Sequence, residues 1–206
     1  MDFESLPADF RHCIKFHGHL CPGLTIGYRA TKAALEALGT QRAQDEELIA
    51  IVENDSCSVD AVQALSGCTF GKGNFYFRDH GKQVFTFALR PSGRAVRVSL
   101  KAPEDRFSSA PEELKALSRK SATAAGLDPE DNKRHRALSI EHMLSCPESD
   151  MLDVETLSVD LPGRAQIHRS VRCERCGQPT MVTRIRAVDG RALCLPCSAK
   201  VECGGG

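Results

Sequence analysis

The chain has 206 residues, 41% of them hydrophobic, and its 27 Lys and Arg are balanced by 27 Asp and Glu. That length allows one medium domain, or a domain with a small appendage, and the apolar content suffices for a core. Zero net charge excludes the basic footprint of a dedicated nucleic-acid binder and a polybasic membrane-surface mode, and no segment approaches membrane-spanning length. Nucleic acid is therefore not expected as a partner, nor a membrane.

The N-terminus, "MDFESLPADFRHC", has acidic residues and no long apolar run, so it does not read as a secretory signal. A cytoplasmic location is expected, where thiols stay reduced. Ten cysteines in that setting point to metal or redox chemistry rather than to a disulfide framework.

In chain order, Ser5 to Phe16 reads as a helix, with Phe10, Cys13, Ile14 and His17 at spacings of three, four and seven. Gly18 interrupts it, and a second helix runs from Pro22 to Leu38, closed by Gly39. Leu48 to Val52 is an apolar run of strand length. "SCSVDAVQALSG" reads as a helix ending at Gly67. "NFYFRDHGKQVFTFAL" is aromatic and β-branched on both sides of a polar centre, which predicts a β-hairpin turning at Asp79 to Lys82. "RPSGR" is another turn and Ala95 to Leu100 another strand. Two helices follow, one beginning at Pro111 and ending near Gly126, the next stopping before Pro147. Leu152 to Leu161 alternates as a strand does, and Pro162-Gly163 breaks it. The organisation expected is an α+β core domain over 1–168 and a four-cysteine zinc-binding domain with a flexible tail, "ECGGG", over 169–206.

"CERCGQPTMVTRIRAVDGRALCLPC" is the most specific signal. Cys173 and Cys176 form one CxxC, Cys194 and Cys197 a second, with 17 residues between the pairs. Two such knuckles converge four thiolates on one tetrahedral Zn2+. The intervening segment reads as a short hairpin turning at Asp189-Gly190. A unit of this size buries too little to fold unaided, so the metal supplies the folding energy and the site is structural. The local arginines, Arg169, Arg172, Arg175, Arg184, Arg186 and Arg191, read as a solvated face, with a nucleic-acid contact through the ribbon as the weaker alternative.

A second constellation lies at "KFHGHLCPGLTIGYRA". His17, His19 and Cys21 alternate on a Gly-rich turn just before a helix. Imidazole and thiolate suit Zn2+ or another transition metal such as Ni or Fe. Cys21 precedes a helix N-terminus, whose dipole favours its thiolate. In "ENDSCSVDAVQALSGCTFGKGN", Asp55 and Cys57 sit where a buried strand gives way to a helix, and Cys68 ends that helix. Asp55 also reads as a helix cap and Asp60 as a first-turn carboxylate. "GCTFGKGN" lacks the spacing of a phosphate-binding loop.

These two segments together resemble the FmdE family, named for a component of formylmethanofuran dehydrogenase, whose members often carry a C-terminal four-cysteine ribbon. The likeness extends over nearly the whole chain. It departs from the common pattern at Phe70, where proline is frequent. The resemblance implies an α+β core with a long β-hairpin that reaches across to a second copy, making a homodimer, with "NFYFRDHGKQVFTFAL" the expected hairpin. It implies a metal or active site carried by His17, His19, Cys21 and Cys57, with Cys68 nearby. The family name fixes no reaction or substrate.

Two functions follow as expectations. One is a metal-dependent or thiol redox enzyme, or an accessory subunit of a redox enzyme, acting on a small molecule. Cys21, Cys57, Cys68 and Asp55 are its candidate catalytic residues, Cys68 as a resolving thiol and Asp55 as a carboxylate orienting a histidine. The other is a non-catalytic protein that senses or delivers metal, or regulates, and docks a partner through the ribbon.

Overall fold

The computed structural model describes residues 2–123 and 125–202. Cys203, expected in the tail, lies outside them. One compact unit ends at Arg164 and the second begins at Ala165.

The first unit opens with α1 (Ala8–His17) and α2 (Pro22–Leu38). Gly18 ends α1 and Gly39 ends α2, both left-handed, with φ of 97° and 61°. Then come β1 (Leu48–Val52), α3 (Ser58–Ser66), β2 (Phe75–Phe77), β3 (Val84–Leu89) and β4 (Arg94–Leu100). Four helices follow: α4 (Pro103–Arg106), α5 (Glu112–Ser121), α6 (Pro129–Ser145) and α7 (Glu148–Met151). The last strand of the unit is β5 (Leu152–Ser158).

The strands form one mixed sheet in the order β2-β1-β3-β4-β5. Only β1 and β2 are parallel, with Ala50 opposite Phe75. The other neighbours are antiparallel. This corrects the expected hairpin: β2 and β3 do not pair, because β1 lies between them. The polar centre of that segment instead wraps the end of β1. Arg78 N–H donates to Val52 O at 2.9 Å, Lys82 N–H to Glu53 O at 2.9 Å, and Glu53 N–H to Val84 O at 3.0 Å. The hairpin of this sheet is β3–β4, joined through the Arg90–Gly93 turn. All five residues of β1 are buried, as a central strand requires.

The main core lies between the sheet and α2. Ala30, Ala33 and Ala34 of α2 bring the helix close to Phe85 and Phe87 of β3 and Val96 and Val98 of β4. A smaller core joins α1, α2 and α3 through Phe10, Cys13, Leu24, Tyr28 and Ala61, and Cys21 belongs to it. No helix among the described residues is long and apolar enough to cross a membrane.

The second unit contains β6 (Ser170–Arg172) paired with β7 (Pro179–Met181), β8 (Ile185–Val188) paired with β9 (Arg191–Cys194), and α8 (Leu195–Glu202). The β8–β9 turn uses Asp189 and Gly190 at φ of 50° and 72°, the left-handed pair that a two-residue hairpin demands. The first hairpin and α8 have no counterpart in the sequence reading.

Candidate metal centres

In the second unit the four thiols of Cys173, Cys176, Cys194 and Cys197 lie within 4.8 Å of one another. Cys176 Sγ and Cys194 Sγ are 3.9 Å apart. A tetrahedron with Zn–S bonds of about 2.3 Å has sulfurs about 3.8 Å apart, so the set fits zinc. The first knuckle closes through Gly177, whose N–H donates to Cys173 O at 2.8 Å with φ at 73°. The second knuckle begins α8. Backbone N–H groups of Cys176, then Cys194, hold the Cys173 thiol down at about 6. Cys197 is pushed up to about 12, first by the Cys194 thiol and then by burial. Four thiols this close cannot all ionise without a cation among them.

In the first unit three side chains meet where three helix ends converge. His17 is the last residue of α1, Cys21 is the N-cap of α2, and Cys57 is the N-cap of α3. Their ligand atoms lie within 4.8 Å of one another. Cys21 Sγ is 3.8 Å from His17 Nε2, against about 3.6 Å for sulfur and nitrogen on one tetrahedral zinc. Cys21 Sγ also accepts from Leu24 N–H at 3.4 Å.

Asp60 fixes the imidazole. Its Oδ2 is 2.7 Å from His17 Nδ1. A carboxylate only accepts, so Nδ1 carries the proton and Nε2 is the ring atom turned toward Cys21. The turn before Cys57 is held by Asn54, whose Oδ1 accepts from Ser56 N–H at 3.1 Å and from Ser58 Oγ at 3.1 Å. Asn54 Nδ2 donates to Lys82 O at 2.8 Å, and Gln83 Nε2 donates to Ser56 Oγ at 2.9 Å. The chain that wraps β1 thus clamps the loop that presents Cys57.

Two glycines let α3 reach α2. A Cβ on Gly23 would lie 3.1 Å from Cys57 Cβ, and one on Gly27 would lie 2.1 Å from Ser58 O. Their spacing of four puts both on one face of α2. That spacing is the signal by which the sequence alone could have found this contact.

The remaining candidates do not join this set of ligand atoms. His19 is exposed, its ring centroid 4.4 Å from that of His17. Asp55 is exposed at the rim, and Asp60, which reads in the sequence only as a first-turn carboxylate, is the one that orients His17. Cys68 is buried in the core against the sheet, with its thiol donating to Leu48 O at 3.4 Å, and burial pushes it up to about 11. It is therefore no resolving partner in this structure. Burial likewise raises the Cys21 thiol, the neighbouring Cys57 adding to it.

His17 and Cys57 border an open hollow of about 330 Å³ while Cys21 is buried behind them. Phe75 and Phe77 form part of its wall.

Residues 16–153 match the family model described as FmdE, molybdenum formylmethanofuran dehydrogenase operon, and residues 168–203 match the prokaryotic dksA/traR C4-type zinc finger. A curated protein of Archaeoglobus fulgidus, described as "Probable S-adenosyl-L-methionine-binding protein", is 35% identical over 191 residues, 89% of this chain and 50% of that protein. The chain thus spans about half the length of that relative. The crystal structure of a tungsten formylmethanofuran dehydrogenase FmdE-like protein from Syntrophus aciditrophicus superposes with a TM-score of 0.64 at 23% identity, covering 96% of this chain and 95% of that one. That likeness agrees with the α+β core and its mixed sheet. With the first model spanning well over half of its residues, the chain belongs to the FmdE family.

Proposed function

We propose that this chain is a metal-dependent enzyme or accessory subunit, with a transition metal held by His17, Cys21 and Cys57 and a structural zinc in a C-terminal domain. The observation that carries this reading is the count and placement of donors. Three side chains converge, Asp60 orients the imidazole, and the side toward the hollow offers no fourth grouped donor among the described residues. Three protein ligands with one open position are the pattern of catalytic rather than structural zinc. When bound, such a metal supplies a Lewis acid with one exchangeable position. The chain's own residues do the rest. Asp60 keeps the proton on His17 Nδ1, the Asn54 clamp fixes Cys57, and Phe75 and Phe77 keep the wall of the hollow apolar. The metal's identity, zinc against nickel or iron, sorts hydrolytic from redox chemistry.

The family's link to a formylmethanofuran dehydrogenase operon supports a place beside a redox enzyme, and a homodimer belongs to the same proposal. S-adenosyl-L-methionine is named for the Archaeoglobus relative, of which half is matched, and is one candidate ligand to assay.

Metal content of the anaerobically purified full chain tests the reading. Two metals per chain are expected, falling to one in Cys21→Ser and in Cys57→Ser. One metal in the unaltered chain would refute the core site.

A second reading has its own observation. The His19 ring lies against His17, and a fourth ligand from His19 would make the closed coordination shell that a metal sensor or carrier needs. His19→Ala separates the two. Loss of core metal as complete as in His17→Ala favours the closed site, and retained metal favours the open one.

A further inference from the structure

We infer that the hollow beside the triad takes a small aromatic or apolar compound bearing an ammonium or another hydrogen-bond donor, and discriminates against carboxylates and phosphates. This rests on the proposed core site and adds the class of ligand it accepts.

The argument begins with which polar groups of the lining are free. Asn54 and Ser56 are consumed by the clamp around the Cys57 turn. Asp60 is held by His17. Asp55 is exposed, borders the hollow, and makes no hydrogen bond or ion pair with the described residues. Asp60 Oδ1 makes no side-chain hydrogen bond with the described residues either; a carboxylate only accepts, so the oxygens left for a ligand on Asp55 and Asp60 call for a donor.

The charge of the site points the same way. The lining holds two carboxylates, Asp55 and Asp60, and no lysine or arginine among the described residues. A divalent metal on two thiolates and an imidazole is formally neutral and offsets neither carboxylate. An anion entering the hollow meets two carboxylates and no lysine or arginine among the described lining residues, whereas a cation meets complementary charge.

The opposite wall is apolar. Val52, Val59 and Phe75 line it, and Phe77 stands 48% exposed at its edge. An exposed aromatic side chain and carboxylates in one lining suit a flat ring or an organic cation. The volume, about 330 Å³, lies at the small end of small-molecule sites.

The test uses three probes of one size that differ in charge: phenethylamine, 2-phenylethanol and 3-phenylpropionate. Binding to the full chain, purified anaerobically with its metal content counted, is followed by titration calorimetry or saturation-transfer NMR. Phenethylamine is expected to bind more tightly than the alcohol, and the acid most weakly. Asp55→Asn is expected to weaken the amine about threefold to fivefold and leave the alcohol unchanged. Phe77→Ala is expected to weaken amine and alcohol alike. The inference is overturned if the acid binds as well as the amine, if Asp55→Asn leaves the order unchanged, or if no probe binds. A chain holding one metal instead of two refutes the metal site and not this preference. The order of the probes on that same sample still decides it, because Asp55 and Asp60 line the hollow whether or not a metal is bound.

Discussion

A methyl group on Gly27 would collide with Ser58 O at 2.1 Å. Both atoms belong to helices held on several sides, so neither yields cheaply. Gly27→Ala is expected to destabilise the first unit by about 1–3 kcal/mol, the range of an overpacked core. Urea denaturation followed by tyrosine fluorescence measures this, because both tyrosines, Tyr28 and Tyr76, lie in that unit and the chain has no tryptophan. Gly23→Ala is milder, since its contact at 3.1 Å is with Cys57 Cβ. It should leave the fold in place and displace Cys57, lowering core metal retention under chelator competition. Asp60→Asn keeps a hydrogen-bond partner for His17 but removes the charge, and should weaken core metal binding about 10- to 100-fold. Equal retention in Asp60→Asn and the unaltered chain would reduce Asp60 to a helix-end carboxylate. At this scale the sequence singled out the three side chains that the structure groups. His17 and Cys21 are four apart around a turn, and Cys57 follows a buried strand. It did not single out Asp60, because a carboxylate in the first turn of a helix looks the same whether it caps or orients.

Helices α1 and α2 are pinned together by one acidic side chain. Asp9 of α1 accepts from Tyr28 Oη at 3.0 Å and from Lys32 Nζ at 2.8 Å, both on α2, and the Phe10 and Tyr28 rings sit 4.5 Å apart beside it. Burial alone would raise the Asp9 carboxyl. The bonds from Lys32 and Tyr28 outweigh that and hold it below its ordinary 3.8. A lowered carboxylate contributes stability that is complete above 3.8 and is lost as pH falls through the folded value. Asp9 is a third exposed, so the contribution is about 1 kcal/mol at neutral pH. Asp9→Asn should therefore cost that much at pH 7 and progressively less below 3.8, read by the same tyrosine signal in acid titrations. Helices and strands with apolar runs and glycine ends were readable in order, and β1 and α2 fall where the residues place them. The pairing of β2 was not. Alternation shows that two segments are strands, yet it carries no record of which strand lies between them, and the inserted β1 comes from earlier in the chain.

On the scale of the whole molecule the chain divides at Arg164, and the two units depend on different forces. The first buries an extensive core of its own. The second has a small one, Leu193 with three of the four metal-binding cysteines, and takes its stability from the metal. Treating the full chain with a strong chelator under reducing conditions should unfold the second unit and leave the first folded. Amide exchange should rise across β6 to α8, while the tyrosine signal and the urea midpoint of the first unit stay unchanged. A loss of the tyrosine signal on chelation would make the proposed core metal a folding element too. The two CxxC pairs mark out the second unit in the sequence, since four thiols at that spacing leave little else for so short a segment to do.

The residues of the core centre also sit unevenly along the chain. His17, Cys21, Cys57 and Asp60 all fall within the first 60 residues, while the sheet that backs α2 is completed by β5, which ends at Ser158. At ribosomal speeds that interval of about a hundred residues lasts roughly 5–20 s. For that time the nascent polypeptide carries its donors without the finished sheet behind them. Loading of the proposed core metal would therefore compete with oxidation of its thiols during translation itself, and starvation for that metal should be felt first by newly made molecules rather than by the mature pool.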